Sequence, residues 1–302
     1  MQSFTFLKGA ALIVTGAVLW SLAGVGVKYC GFGAWQLAGL RGGIAAVTVL
    51  LLMPQSRRHW SWLVVLVGLG HVVTMFGFVL STKLTTAANA IFLQCSYPLW
   101  VLAFSPLLLK ESIRLGDAVS LVVFGAGMGM VFFAPEEATQ LSPNILAGNI
   151  LALLSGIGFG LAVIGMRALR KGGAQASIVF GNVVVCVVGL TVAAILHVTG
   201  GQQMTWGAPR DWLVVLFLGS VQIGMGYTTY AAGLKYVRAM QASLIGLIEP
   251  VLNPLWVFLL FRQEKPGPLA MLGGAIILAA TAFQVVWGAR TPGGPKKSAA
   301  AE

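Results

Sequence analysis

Residues 9–28 read Gly9-Ala10-Ala11-Leu12-Ile13-Val14-Thr15-Gly16-Ala17-Val18-Leu19-Trp20-Ser21-Leu22-Ala23-Gly24-Val25-Gly26-Val27-Lys28. Residues 148–167 read Gly148-Asn149-Ile150-Leu151-Ala152-Leu153-Leu154-Ser155-Gly156-Ile157-Gly158-Phe159-Gly160-Leu161-Ala162-Val163-Ile164-Gly165-Met166-Arg167. Each run is nearly devoid of charge and has the ~20-residue length that crosses a bilayer's hydrocarbon. At one constant offset Trp20 pairs with Phe159, Gly26 with Gly165 and Lys28 with Arg167. The match continues in order along the chain. Trp62-Leu63-Val64-Val65-Leu66 recurs as Trp212-Leu213-Val214-Val215-Leu216, and Lys83, Ala87, Ala90 and Pro98 align with Lys235, Ala239, Ala242 and Pro250. Single matches between apolar stretches arise by chance, but their order and nearly steady offset indicate an internal repeat.

Apolar runs bounded by charge or by Gly/Pro punctuation number ten, at about 7–27, 35–53, 61–82, 86–109, 115–134, 145–166, 175–197, 211–233, 240–261 and 267–288. Residues 1–134 thus form a first unit of five spans. Residues 145–288 form a second, 135–144 are a linker and 289–302 a tail. An odd number of spans forces the second unit to enter the membrane upside down. The expected fold is an all-α membrane protein of ten transmembrane helices, arranged as two inverted five-helix repeats around a central cavity. Inverted repeats are typical of alternating-access carriers, whose sites lie at the repeat interface.

Composition agrees with a membrane chain. Of 302 residues, 58% are hydrophobic and only 9% charged, too few to cover a soluble surface. This excludes a soluble enzyme, a disordered chain and a secreted disulfide scaffold. Cys30, Cys95 and Cys186 form no metal or disulfide pattern. The first apolar run is longer than a signal peptide's core, so cleavage is not expected. The net charge of +11 would suggest nucleic acid in a soluble protein. On ten spans it records orientation instead. With the N-terminus cytoplasmic, Lys8, Arg57, Arg58, Lys110, Arg114, Arg167, Arg170, Lys171, Lys235, Arg238, Arg290, Lys296 and Lys297 fall on the cytoplasmic side. Lys28, Lys83, Arg210, Arg262 and Lys265 fall opposite. The bias predicts both termini in the cytoplasm, on a cell inner (plasma) membrane protein.

The repeated motifs resemble the drug/metabolite transporter superfamily, in particular its ten-span EamA-type branch. The residues that carry the resemblance are Val18-Leu19-Trp20-Ser21 with Lys28, more loosely Ile157-Gly158-Phe159-Gly160 with Arg167, and Leu40-Arg41-Gly42 in the second span. Pro98 followed by Lys110-Glu111, and Pro250 followed by Gln263-Glu264, complete the pattern, although the usual Gly before each Glu is replaced. The resemblance implies a basket of helices around a cavity and the transport of small metabolites, most like the family's exporters of amino acids and aromatic compounds. An alternative is an efflux carrier for toxic aromatic cations or drugs. Outside transport, the alternatives are an intramembrane enzyme, for which HExxH and GxSG are missing, or a non-transporting scaffold. No cofactor or metal is expected, and the absence of a Walker loop removes ATP as the implied energy source.

Within the spans, polar residues are scarce and therefore conspicuous. Glu249 is the one acid well inside an apolar run. A membrane-buried carboxylate is costly unless it faces a cavity or a partner, so Glu249 is a candidate for substrate or proton binding, or else a structural acid. Arg41, about 9 Å inside its span, either snorkels outward, pairs with Glu249 or meets a substrate carboxylate. His71 is the third possible charge site and aligns with Gln222 once the length difference between the repeats is divided. The expected substrate-binding set is Trp20, His71, Gln94, Tyr97, Phe159, Gln222, Tyr230, Glu249 and Asn253. Phe78, Trp100, Tyr227 and Trp256 are further aromatic candidates. Pro98, Pro250 and Pro254 are expected to break their helices. Gly125, Gly127 and Gly129, and Gly156, Gly158 and Gly160, are expected to serve close helix packing.

Overall fold

The computed structural model describes residues 2–85, 87–111, 113–132, 144–261 and 268–290. Residues 135–143 of the expected linker, 291–302 of the expected tail and the Gln263-Glu264 motif lie outside them, whereas residues 289 and 290 still belong to the last helix. Every regular element among the described residues is helical. In lipid each backbone polar group must be satisfied within its own segment, and an apolar run achieves this only by coiling. The N-terminal portion contains α1 (Gln2–Trp20), α2 (Ala23–Tyr29), α3 (Ala34–Leu52), α4 (Trp62–Leu84), α5 (Ala87–Gln94), α6 (Tyr97–Leu109) and α7 (Leu115–Phe132). The C-terminal portion contains α8 (Ile145–Ala168), α9 (Ala174–Val198), α10 (Pro209–Phe217), a π-helix (Leu218–Met225), α11 (Gly226–Gly233), α12 (Ala239–Gly246), α13 (Glu249–Phe261) and α14 (Pro268–Arg290).

Six stretches are long and apolar enough to cross a membrane: Phe4–Val27, Ala34–Leu52, Trp62–Leu84, Leu146–Ala168, Ala174–Val198 and Pro209–Gly233. Leucines such as Leu51, Leu107, Leu115, Leu146 and Leu213 point outward, as lipid-facing residues do. Trp60, Trp62, Trp206 and Trp212 are exposed near helix ends, where interfacial tryptophans belong. Two of the long helices begin with a side-chain cap. Ser61 Oγ accepts from Val64 N at 3.3 Å, and Asn144 Oδ1 accepts from Ala147 N at 3.1 Å.

Several runs that read as single spans are interrupted. The first breaks at Ser21-Leu22, between α1 and α2. The fourth breaks at Cys95-Ser96, and the ninth at Leu247-Ile248. A proline's ring collides with the carbonyl four residues before it. For Pro98 that residue is Gln94, where α5 ends; for Pro250 it is Gly246, where α12 ends. Pro254 departs from expectation, because α13 continues through it. The bond it removes would have fallen on Pro250, in the first turn beside a break already present.

The two portions of the chain pack on each other more than on themselves. α4 lies against α8 and α9, α3 against α9 and the π-helix, α1 against α11 and α12, and α7 against α14. α6 and α5 pack on α8, while α13 touches α1 and α2. Small residues permit the closest approaches. A Cβ on Gly158 would stand 2.9 Å from the Gly70 carbonyl, and one on Gly189 would stand 2.9 Å from Gly39. Gly156 and Gly160 seat the α5–α6 junction as their spacing predicts. Gly125 and Gly129 do not, since both face open space and Gly127 alone meets α14, at Gly273.

Polar contacts gather at two opposite ends. At one, Glu111 holds Arg167 and the backbone N–H of Ala239, and Asp117 holds Arg238. At the other, Asp211 Oδ1 accepts from Gly31 N at 3.0 Å, and Gln36 exchanges two hydrogen bonds with Thr205. Both ends are thus tied between the N- and C-terminal portions.

Candidate functional site

Between these ends, the interrupted helices surround a small cavity. Its wall consists of Trp20, Ala23, Arg41, Thr74, Met75, Phe78, Gln94, Phe159, Gln222, Tyr227 and Glu249. Trp20 is the last residue of α1, Gln94 the last of α5 and Glu249 the first of α13. The breaks therefore deliver these side chains. A helix that stops at the site presents its terminal groups and nearby freed backbone to a ligand, which a continuous helix cannot do. The cavity volume is about 20 Å³, room for roughly one water.

Aromatic rings form one continuous cluster in and behind this wall. Trp20 lies 5.3 Å from Phe159, 4.5 Å from Tyr227 and 4.7 Å from Tyr230 between ring centroids. Tyr97 packs on Phe159 and His71 on Tyr227, each at 4.5 Å. Polar groups occupy the remainder. Gln94 Nε2 donates to Ser155 Oγ at 2.6 Å, which in turn donates to the Thr74 carbonyl at 2.9 Å. Arg41 is 1% exposed, so it does not snorkel. Its Nη2 reaches only the Met75 sulfur, at 3.6 Å, and its Nε and Nη1 have no protein partner. The guanidinium stands over the Phe78 ring at 6.0 Å. Glu249 and Arg41 line the same cavity but form no ion pair with one another. Trp20 Nε1 and Gln222 Oε1 are likewise buried without a partner. Buried polar atoms are nearly always paired in native proteins, so several unpaired around one cavity mark a place for solvent or ligand.

The structure brings together eight of the residues singled out in the sequence: Trp20, Arg41, Phe78, Gln94, Phe159, Gln222, Tyr227 and Glu249. Four others stand behind the wall. His71 packs on Tyr227, and Tyr230 supports Trp20. The Tyr97 hydroxyl donates to the Ser243 carbonyl at 2.7 Å, which ties α6 to α12. Asn253 is buried against Gly24 of α2. Trp256 Nε1 donates to Ser21 Oγ at 2.7 Å, bracing the break between α1 and α2. Thr74, Met75 and Ala23 were not foreseen. Thr74, Met75 and Phe78 follow His71 at helical spacing, so the face of that helix was the available signal.

The model of the EamA-like transporter family matches this chain twice, over residues 7–133 and 146–286. The chain belongs to the EamA-like transporter family. Its members are multi-pass membrane transporters, and the apolar helices and buried polar cavity of this EamA chain agree with that. An uncharacterized transporter from Archaeoglobus fulgidus is 26% identical over 275 residues, covering 90% of this chain and 94% of the relative. The aromatic amino acid exporter YddG of Ancylobacter novellus is 25% identical, covering 79% of this chain and 82% of its own. A biotin transporter of Salmonella typhimurium is 24% identical, covering 92% and 93%. A protein of known crystal structure superposes with a TM-score of 0.75 at 19% identity, over 94% of this chain and 99% of its own, and so shares the EamA chain's fold.

Proposed function

We propose that this EamA-family chain is a secondary transporter that exports amino acids or related small metabolites across the inner membrane by alternating access. Its architecture in this reading is ten transmembrane helices: α1–α2, α3, α4, α5–α6, α7, α8, α9, α10–π–α11, α12–α13 and α14. Residues 1–134 and 145–288 form two inverted five-helix repeats, joined by a linker at 135–144 and followed by a tail from 289. The packing supports this pairing, because the contacts exchange between repeats. α4 on α8 has its counterpart in α11 on α1, α4 on α9 in the π-helix on α3, and α6 on α8 in α13 on α1 and α2. The double match to one family model supports it as well. The end that holds Arg167, Arg170 and Arg238 is cytoplasmic in this reading, as are both termini.

The observation that carries the substrate class is the pair Arg41 and Glu249, which share one cavity without neutralising each other. A buried cation without a counterion is strongly unfavourable, which a bound anion relieves. An α-amino acid brings a carboxylate for Arg41 and an ammonium for Glu249. The ring wall of Trp20, Phe159 and Tyr227 receives a flat or apolar side chain. The relative named as an aromatic amino acid exporter supports this class. A carboxylate without an amine, as in the relative named a biotin transporter, is the second reading and engages Arg41 alone. Efflux of an aromatic cation is disfavoured, because Arg41 repels it at the site.

Counterflow in proteoliposomes tests the proposal, with labelled amino acids set against biotin and an aromatic cation. Uptake of neutral amino acids is expected. Uptake of the cation alone, or of no solute at all, overturns it.

A further inference from the structure

The C-terminal portion departs in register from the N-terminal one at several points, and one of them lies at the cavity. The stretch from Trp212 to Lys235 is two residues longer than its counterpart from Trp62 to Lys83. The shorter one is the uninterrupted α-helix α4, whereas the longer contains the π-helix Leu218–Met225. A π turn holds more residues than an α turn, so it absorbs inserted residues without lengthening the helix in proportion. The Gly226 N–H donates to the Val221 carbonyl, five residues back, as this geometry requires. The Thr228 hydroxyl donates to the Gly224 and Met225 carbonyls at 2.9 Å, and that of Thr229 to those of Met225 and Gly226 at 2.9 Å. These bonds take up carbonyls near the change of register.

The consequence appears on both faces of the element. In an α-helix, residues five apart point about 140° away from each other. Here Gly219 and Gly224, five apart, both seat on α3. A Cβ on the first would meet Ile44 and the Arg41 carbonyl, at 2.6 and 2.8 Å, and one on the second would meet Thr48 at 2.9 Å. Gln222 and Tyr227, also five apart, both line the cavity. On α4 the lining residues Thr74, Met75 and Phe78 keep ordinary α spacing. Gln222 is 6% exposed and its Oε1 has no protein partner. Gln222 thus brings an acceptor without a protein partner to the wall of the cavity that Arg41 and Glu249 share.

We propose that the π-helix is a specificity element of this chain, whose extra residues turn Gln222 into the cavity as the acceptor for the amine of a zwitterionic substrate. The proposal rests on the transport reading above, and adds a residue and a backbone device that select between zwitterions and simple carboxylates.

The test compares counterflow of a neutral amino acid with that of its amine-free carboxylate analogue, for the wild type, Gln222→Leu, Gln222→Asn and a deletion of Ser220 and Val221. The deletion restores the α4 length and rotates Gln222 away from Tyr227. In Gln222→Leu, KM for the amino acid is expected to rise about tenfold more than KM for the analogue, the loss of one hydrogen bond to a charged group. Maximal rates should change little, and Gln222→Asn should recover part of the difference. The deletion should reproduce the Leu phenotype. If it does not fold, the two substitutions decide alone. Equal changes for both solutes in Gln222→Leu, or none, overturn the inference while leaving the transport reading in place. A wild-type protein that exchanges neither solute overturns both.

Discussion

Arg167 Nε donates to Glu111 Oε1 at 2.9 Å while its Nη1 donates to the Leu234 carbonyl at 2.6 Å. One guanidinium therefore joins the end of α8 to the segment after α6 and to the end of α11. Glu111 Oε2 completes the link by accepting from Ala239 N at 3.1 Å, at the start of α12. Beside it, Asp117 Oδ2 accepts from Arg238 Nη2 at 3.0 Å. These ion pairs tie the N- and C-terminal portions together at one end.

Glu111→Gln should loosen this end. The Arg167 and Glu111 side chains are 5% and 15% exposed, so breaking the pair leaves a charge largely buried. Losses of about 3–5 kcal/mol are usual for such a break. The expected result is a clearly lower Tm in detergent and faster labelling, from that end, of a cysteine introduced into the cavity wall. An unchanged Tm together with unchanged labelling would show that the pair does not hold the end shut.

Arg41→Gln should remove the anion partner without emptying the site of polar groups. Uptake of neutral amino acids is expected to fall by about tenfold or more, the loss of a charge-assisted hydrogen bond. Competition by the decarboxylated amine should strengthen, because the repelling cation is gone. Equilibrium competition in detergent measures both, and a uniform loss for all solutes would point to misfolding rather than to recognition.

Glu249→Gln keeps the shape of the cavity and removes its titratable carboxyl. If Glu249 carries a proton, flux driven by a pH gradient disappears while exchange at equal pH on both sides persists. Proteoliposomes preset to different internal pH values make this measurement. PH-driven flux that survives the substitution assigns the coupling elsewhere.

Tyr97→Phe should cost about 1 kcal/mol, the usual net value of one hydrogen bond. The lost bond is the 2.7 Å link to the Ser243 carbonyl, while the ring contact with Phe159 remains. A small fall in Tm with transport largely retained is expected. A loss of binding as large as that of Arg41→Gln would instead make the hydroxyl a substrate contact.

Much of this protein is readable before any coordinates. Pro98 and Pro250 mark where α5 and α12 end, because each proline acts on a carbonyl at a fixed distance behind it. Glu249 and Arg41 stand out because charge inside an apolar span demands a reason. The division between wall and support was not readable. His71, Tyr97, Tyr230 and Asn253 are as polar or aromatic as the residues that line the cavity, yet they stand behind it. Thr74 and Met75, ordinary in sequence, face into it.

The sequence by itself determined that this is a helical membrane chain, that it is duplicated, and that few charges lie at depth. Those properties depend on composition, run length and order, which are local. Only the tertiary structure decided which side of each helix meets the cavity. In a soluble helix the polar stripe reveals the outer face, but here lipid and protein interior are both apolar and that contrast vanishes. The rotation of each helix is set by glycine contacts, by breaks, and by the π turns that move Gln222 beside Tyr227. These are relations between segments far apart in the chain.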